Sequence, residues 1–248
     1  MKTLLHILSY PLSVIFYLFF GLNLLIFHPI QWICLNVFGY EAHKKSVDCF
    51  NWVILRCLNL VGTTFDVTIN SSIPNNVPII MVSNHQSMWD ISPIIWFLRK
   101  YHPKFISKIE LGKGIPSISY NLKHGGSVLI DRKNPRQAAG EIIKIAKYVS
   151  KHNRSVVIFP EGTRSKDGTP KPFRKSGLLT LFKKAPDAYV LPVSISHSWK
   201  LQQHGMFPIP IGVRMQLIVH PSFKVSEHEP DALIDLVETQ VKSSITVD

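Results

Sequence analysis

The chain has 248 residues, of which 46% are hydrophobic and 18% are charged. This length is enough for one compact domain plus an appendage, and the composition excludes a disordered protein. Lys and Arg together number 28 against 16 Asp and Glu, which gives a formal net charge of +12. Such an excess favours polyanionic partners, namely nucleic acid, an anionic membrane surface or phosphorylated small molecules. The alternative is a basic, solvated surface with no dedicated partner.

The N-terminal segment is apolar and almost free of charge. No Asp, Glu, Lys or Arg occurs in residues 3–40. As one helix this stretch is about 57 Å long, nearly twice the ~30 Å thickness of a bilayer's hydrocarbon core. Four helix-breaking residues predict that it is interrupted: Pro11, Gly21, Pro29 and Gly39.

Three readings of this segment compete. A cleaved signal peptide is disfavoured because no small-residue cleavage site follows the apolar run. A single transmembrane helix is one alternative. A re-entrant or interfacial helical pair in one leaflet fits the broken run better, because a second apolar run, residues 49–61, carries one polar stripe. We therefore predict a membrane-anchoring helical segment over residues 1–61 and a catalytic domain over residues 62–248.

Three cysteines, Cys34, Cys49 and Cys57, lie in or near the apolar segment. None belongs to a C-x-x-C pair, and an odd number does not build a disulfide framework. Reduced cysteines are typical of a protein whose catalytic domain faces the cytosol. The sequence therefore predicts a cell-membrane protein with its catalytic domain on the cytoplasmic side.

Beyond Gly62, short β-like runs alternate with helical patterns. The predicted strands cover residues 65–70, 77–83, 104–108, 127–130, 155–159, 189–196 and 214–220. The predicted helices cover residues 91–99, 135–150, 175–184 and 231–242. This alternation predicts an α/β domain with a mixed, largely parallel central sheet flanked by helices.

The segment Asn84–Asp90 (NHQSMWD) connects a predicted strand to a predicted helix, where α/β sheets place ligand-binding loops. His85 and Asp90 can meet only if His85 lies in the turn and Asp90 in the first helical turn. The carboxylate would then hold one imidazole nitrogen protonated and leave the other as a base. A histidine that merely caps or packs near the helix start is the alternative.

Three other predicted strand ends carry polar side chains. Phe159–Ser165 (FPEGTRS) offers the planar guanidinium of Arg164 and a glycine turn, both suited to a phosphate. Arg132 follows the strand of residues 127–130, and Lys108 ends the strand of residues 104–108. The alternative for each is a solvated surface turn. Together with His85, these ends predict one positively biased site.

The order and spacing of four segments resemble the four sequence blocks of the glycerophospholipid acyltransferase family. They are Asn84–Asp90, Gly125–Arg132, Phe159–Ser165 and Leu191–Ile195. The resemblance is closest to bacterial 1-acyl-glycerol-3-phosphate acyltransferases and covers residues 65–220. It implies transfer of a fatty acyl group from acyl-CoA or acyl-carrier protein to a lysophospholipid hydroxyl in an anionic membrane. Relatives that act on other lysolipids, such as lyso-aminolipids, share these blocks.

The resemblance also implies roles for individual residues. It makes His85 the general base and Asp90 its orienting partner. It gives substrate-binding roles to five residues: Arg132, Glu161, Gly162, Thr163 and Arg164. Lys108 is a further substrate-binding candidate because of its place at a strand end of the same site. Backbone amides or Lys108 would stabilise the oxyanion. No cofactor is expected beyond the thioester co-substrate.

Other functions are less well supported by the sequence. A lipid hydrolase would use the same histidine and aspartate on water. A lipid-binding module would explain the charge and the anchor but not this pair. No aromatic-rich basic stripe supports nucleic-acid binding. The 11 histidines form no H-x3-H or His/Cys cluster, so no metal site is predicted.

Overall fold

A computed structural model describes residues 2–70 and 72–247. Within these residues, eight strands form one sheet: β1 (Thr64–Ile69), β2 (Ile79–Ser83), β3 (Pro103–Lys108), β4 (Val128–Ile130), β5 (Ser155–Ile158), β6 (Tyr189–Ser196), β7 (Arg214–Val219) and β8 (Phe223–Lys224). Their order is β1-β7-β6-β2-β5-β3-β4, with β8 paired to β6. The β6–β7 and β6–β8 pairs are antiparallel and the others are parallel. The predicted mixed, largely parallel sheet is confirmed.

Seven helices accompany the sheet in the described part of the chain. They are α1 (Lys2–Phe38), α2 (Tyr40–Leu60), α3 (Ile91–Phe97), α4 (Ile118–His124), α5 (Pro135–His152), α6 (Lys175–Lys184) and α7 (Pro230–Ser243). Helix α4 and strand β8 were not expected from the sequence. One is two turns long and the other has two residues, too short for a hydrophobic period to be visible.

The central strand β2 shows why the sheet is covered on both faces. Ile79 and Met81 belong to one apolar cluster, which also takes in α2 and α3, whereas Ile80 and Val82 belong to another with α5, α6 and α7. Successive side chains of a strand point to opposite faces, so a fully apolar strand needs a layer of helices on each side.

The predicted breaks at Pro11, Gly21 and Pro29 were wrong, whereas the predicted break at Gly39 is confirmed. Helix α1 runs unbroken through Pro11 and Pro29, and the break comes at Gly39, whose φ of 79° and ψ of −169° end it. Each proline removes only one backbone N–H from the helical ladder. Tertiary contacts support the helix between and beyond the prolines. Ile209 N donates to Ser13 Oγ (2.8 Å), and Asn23 Nδ2 donates to the Phe50 carbonyl (3.2 Å).

The helical pair α1–α2 is packed into the catalytic domain. Phe16 of α1 is fully buried, and its ring meets the indole of Trp89 edge to face at 5.3 Å. Leu58 of α2 and Leu217 of β7 belong to the same core. Helix α2 ends at Leu60 and β1 begins at Thr64, so the predicted boundary at residues 61–62 falls in the connecting turn. Helices α1 and α2 therefore contribute to the core of the domain and are more than a membrane anchor.

Candidate active site

The sheet brings four predicted strand ends to one edge. Strands β2, β5, β3 and β4 are parallel neighbours, so their carboxyl ends lie side by side. His85 follows β2, Lys108 ends β3, Arg132 follows β4, and residues 161–164 follow β5. Ligands of α/β sheets bind at such carboxyl ends. The exposed side chains of Lys108, Arg132 and Arg164 give this edge a positive charge.

His85 and Asp90 contact each other. Nδ1 of His85 lies 2.8 Å from Oδ2 of Asp90, whose side chain is fully buried. The turn that makes this possible begins at Ser87, where Oγ accepts from Trp89 N and caps the 3-10 turn Met88–Asp90. A carboxylate only accepts hydrogen bonds, so Nδ1 is the donor, and in the neutral form of the ring Nε2 is the acceptor.

Four further donors surround the Asp90 carboxylate. Oδ2 accepts from the backbone amides of Gln86 (2.8 Å) and Ser87 (3.0 Å). Oδ1 accepts from the hydroxyls of Ser87 (3.3 Å) and Ser198. Hydrogen bonds of this kind stabilise the ionised carboxylate without solvent. Five donors, one of them His85 Nδ1, thus fix the Asp90 carboxylate in position against the imidazole.

The position of His85 is fixed by the loop after β5. Its ring stacks on Phe159 with the centroids 4.1 Å apart. Its backbone N–H donates to Oε1 of Glu161 (3.0 Å), and its carbonyl accepts from Ser165 N (2.7 Å). The Phe159–Ser165 segment therefore supports the histidine directly.

Glu161 is buried under this loop. Its Oε1 accepts from His85 N, and its Oε2 accepts from the backbone N–H of Lys171 (3.3 Å). Burial raises the pKa of Glu161 to about 7, although the hydrogen bonds from His85 and Lys171 oppose that shift. The Glu161 carboxyl group thus links the loop after β2 to the loop after β5, and each of its oxygens accepts a hydrogen bond from a backbone N–H group.

Gly162 has a backbone conformation that favours glycine. Its φ is +74°, and a Cβ there would lie 3.2 Å from the Arg174 guanidinium carbon. Arg174 in turn acts on Arg132: partial burial and the neighbouring Arg174 charge lower the pKa of Arg132, and Glu110 opposes them. The Arg174 guanidinium therefore lies against the Gly162 turn, and its charge reaches Arg132; planar cations of this kind are suited to a phosphate.

Arg164 and Thr163 lie on the exposed side of the same turn. Nη1 of Arg164 donates to Oε1 of Gln202 (3.0 Å), and that oxygen also accepts from Met88 N (3.0 Å). Nζ of Lys171 donates to Thr163 Oγ1 (2.9 Å) and to the Arg164 carbonyl (2.8 Å). Arg164 is thus oriented by Gln202, and Lys171 adds a further cation beside it.

The family follows from comparison with known proteins. A sequence model of the family described as Acyltransferase matches residues 64–196. This chain belongs to the Acyltransferase family. The matched range contains the His85–Asp90 pair and the loop after β5, and the resemblance predicted from the four blocks is confirmed.

Named members of this family resemble the chain at moderate identity. It is 32% identical over 180 residues to a 1-acyl-sn-glycerol-3-phosphate acyltransferase of Cocos nucifera, covering 72% of this chain and 54% of that one. The enzyme of that name from Borreliella burgdorferi is 28% identical over 185 residues, 73% and 72% of the two chains. The chain spans about half the length of the plant relatives that it matches.

A solved structure has the same fold. The crystal structure of the 1-acyl-sn-glycerophosphate (LPA) acyltransferase PlsC from Thermotoga maritima superposes with a TM-score of 0.73 at 26% identity. The match covers 98% of this chain and 95% of that one. It therefore includes the helical pair α1–α2 as well as the sheet.

Four site residues of this acyltransferase domain were missed by the sequence reasoning. Lys171 and Arg174 lie in a loop rich in Lys, Gly and Pro, so their charge beside the Phe159–Ser165 segment was a usable signal. Ser198 and Gln202 gave no signal in the sequence, because their contacts with Asp90 and Arg164 connect distant parts of the chain.

Proposed function

We propose that the chain transfers a fatty acyl group from acyl-CoA or acyl-carrier protein to the free hydroxyl of 1-acyl-glycerol-3-phosphate. The product would be phosphatidic acid, a precursor of phospholipids. The observation that carries this proposal is the His85–Asp90 pair at the sheet edge where Arg132 and residues 161–164 follow neighbouring strands. The names of the matched relatives support the same substrate class.

His85 acts as the general base in this proposal. Asp90 accepts from Nδ1, so Nε2 takes the proton of the acceptor hydroxyl as its oxygen attacks the thioester carbonyl. A C–O bond forms and the carbonyl becomes an oxyanion. When the oxyanion collapses, the C–S bond breaks and the thiolate takes the proton back from Nε2. The ester and a free thiol leave, and no acyl-enzyme is needed.

The cations hold the phosphate of the acceptor. Arg132 and Arg164 offer planar guanidinium groups, and Arg174 lies against the Gly162 turn. The Thr163 hydroxyl accepts a hydrogen bond from Lys171 Nζ, which helps to hold the turn in place. Glu161 positions His85 and the loop after β5, because its two oxygens accept hydrogen bonds from the backbone amides of His85 and Lys171. Lys108 remains a candidate for the oxyanion or for the acceptor.

The N-terminal helix associates the chain with a membrane. Residues 3–38 have a mean hydropathy of 1.9 in their most apolar stretch, only 17% of which is buried. The acceptor's tail stays in the leaflet while its hydroxyl must reach His85. We therefore place the enzyme in one leaflet of the cell membrane, with the site facing the cytoplasm and the basic surface towards anionic lipids.

An assay of thiol release tests this function. Purified protein is given an acyl thioester and a panel of lysolipids that differ in headgroup. Thiol release that depends on 1-acyl-glycerol-3-phosphate, with phosphatidic acid as product, supports the proposal. Dependence on a lyso-aminolipid would change the acceptor, and free fatty acid formed without any acceptor would instead make the protein a hydrolase.

A further inference from the structure

Two apolar side chains of the catalytic domain project beside helix α1. Met206 and Phe207 are 49% and 44% exposed, in the loop of residues 203–209 that follows the 3-10 turn Ser198–Gln202. Exposing neighbouring apolar side chains to water is unfavourable unless something covers them. This loop lies outside the four sequence blocks and outside the N-terminal segment.

The outer side of the loop is attached to α1. The Phe207 ring lies edge to face with Tyr10, the centroids 5.6 Å apart, and the Tyr17 hydroxyl donates to the Met206 carbonyl. On α1, Ile7, Tyr10 and Leu18 share one helical face, and all three are exposed. The loop therefore extends an apolar stripe of the helix that associates the chain with a membrane.

The inner side of the loop is connected to the phosphate-binding cations. Nε2 of Gln202 donates to the Met206 sulfur (3.1 Å), while its Oε1 accepts from Arg164 Nη1 (3.0 Å). One side chain thus joins the exposed apolar residue to the arginine proposed to hold the headgroup.

We infer that Met206 and Phe207 insert into the same leaflet as α1 and form a second membrane contact, next to the acceptor's headgroup site. The bilayer is the occupant because the apolar surface is continuous with α1. Tyr10 and Tyr17, which line the junction, are of the type that is enriched where apolar chains meet water. This inference rests on the proposed membrane attachment and adds a contact made by the catalytic domain.

Fluorescent labelling distinguishes the loop from the helix. A polarity-sensitive dye is attached to single cysteines at Met206, at Leu18 of α1 and at Leu236 of α7, in full-length protein lacking its three natural cysteines. Leu18 and Leu236 are 59% and 42% exposed, so all three sites are matched for access in water. On vesicles of phosphatidylcholine and phosphatidylglycerol, lipid-borne quenchers should act on Met206→Cys and Leu18→Cys but not on Leu236→Cys.

The outcomes separate the two claims. Quenching at Leu18→Cys without quenching at Met206→Cys would overturn the loop insertion and leave the membrane attachment by α1 intact. Absence of quenching at both positions would overturn the attachment as well. Acyl transfer by each labelled protein verifies that it is folded.

Kinetics test whether the loop serves the acceptor. Phe207→Ser should raise the apparent KM for acceptor embedded in vesicles about tenfold, since membrane burial of one aromatic side chain is lost. It should leave the rate with a water-soluble, short-chain acceptor unchanged. Leu236→Ser, equally exposed but on α7, should change neither. An unchanged vesicle KM for Phe207→Ser would contradict the inference.

Discussion

The Ser198 hydroxyl donates a hydrogen bond to Oδ1 of Asp90 from 108 positions along the chain. The opposite oxygen of the same carboxylate accepts from His85 Nδ1. Ser198, two residues beyond the end of β6, thus orients the catalytic pair that follows β2. Asn84 strengthens this junction by hydrogen bonding to both backbone groups of Ile195 at 2.8 Å. The geometry of the His85–Asp90 pair therefore depends on the loops that follow β2 and β6.

This relationship predicts a graded response at the dyad. Asp90→Asn should lose most of the ~100- to 10,000-fold contribution of the base, because an amide no longer fixes the imidazole tautomer. Ser198→Ala should lower kcat by only about 3- to 20-fold, less than the full worth of a hydrogen bond to a charged group, because four other donors still hold the Asp90 carboxylate. Ser198→Thr, which keeps the hydroxyl, is the control. If Ser198→Ala matches wild type in kcat and pH profile, the hydroxyl does not orient Asp90.

The arginines should act on binding more than on chemistry. Arg164→Ala and Arg132→Ala remove charge-assisted contacts to a phosphate and should raise the acceptor KM about tenfold or more, with a smaller effect on kcat. Arg136→Ala, on the first turn of α5, serves as a control for lost surface charge. Steady-state kinetics with a phosphorylated and an unphosphorylated acceptor measure the effect. Unchanged KM in both variants would remove these residues from the phosphate site.

Glu161 should make stability depend on pH in a defined window. Its pKa is raised from 4.5 to about 7, so the folded protein keeps a proton that the unfolded chain releases between these values. The free energy of unfolding should therefore fall as pH rises through this window, by up to about 1.4 kcal/mol per unit. Glu161→Gln should flatten the slope, as followed by denaturant unfolding in detergent. An identical slope in the variant would exclude Glu161 as its source.

The membrane attachment should resist salt. High salt screens the attraction between basic residues and anionic lipids but leaves the apolar burial of α1 unaffected. Sedimentation after a wash in concentrated salt should leave most of the protein with the membranes, whereas detergent should release it. Recovery of intact protein in the soluble fraction after salt alone would restrict the attachment to peripheral binding.

The sequence predicted the sheet and the edge on which the site lies. Buried strands such as β2 read as continuous apolar runs, and polar residues such as His85 and Arg132 follow directly after such strands. Parallel pairing then brings them to one edge without further information. Local patterns of this kind are visible in a single sequence.

Other features depended on tertiary contacts. The continuity of α1 through Pro11 was misjudged because helix propensity is local, whereas Ser13 and Asn23 bond to distant parts of the chain. The burial of Glu161 could not be predicted from the sequence either, because the charged segment in which it lies is typical of an exposed, phosphate-binding loop. Ser198 and Gln202 gained their roles through partners over 30 positions away.

The central claim is that His85 is the base of an acyl transfer. The most direct measurement is the rate of thiol release by His85→Ala with acyl-CoA and 1-acyl-glycerol-3-phosphate, beside wild type at equal membrane loading. The account predicts a loss of ~100- to 10,000-fold with folding and membrane binding unchanged. A variant that keeps more than about a tenth of the wild-type rate would contradict it, since a positioned base contributes at least ~100-fold.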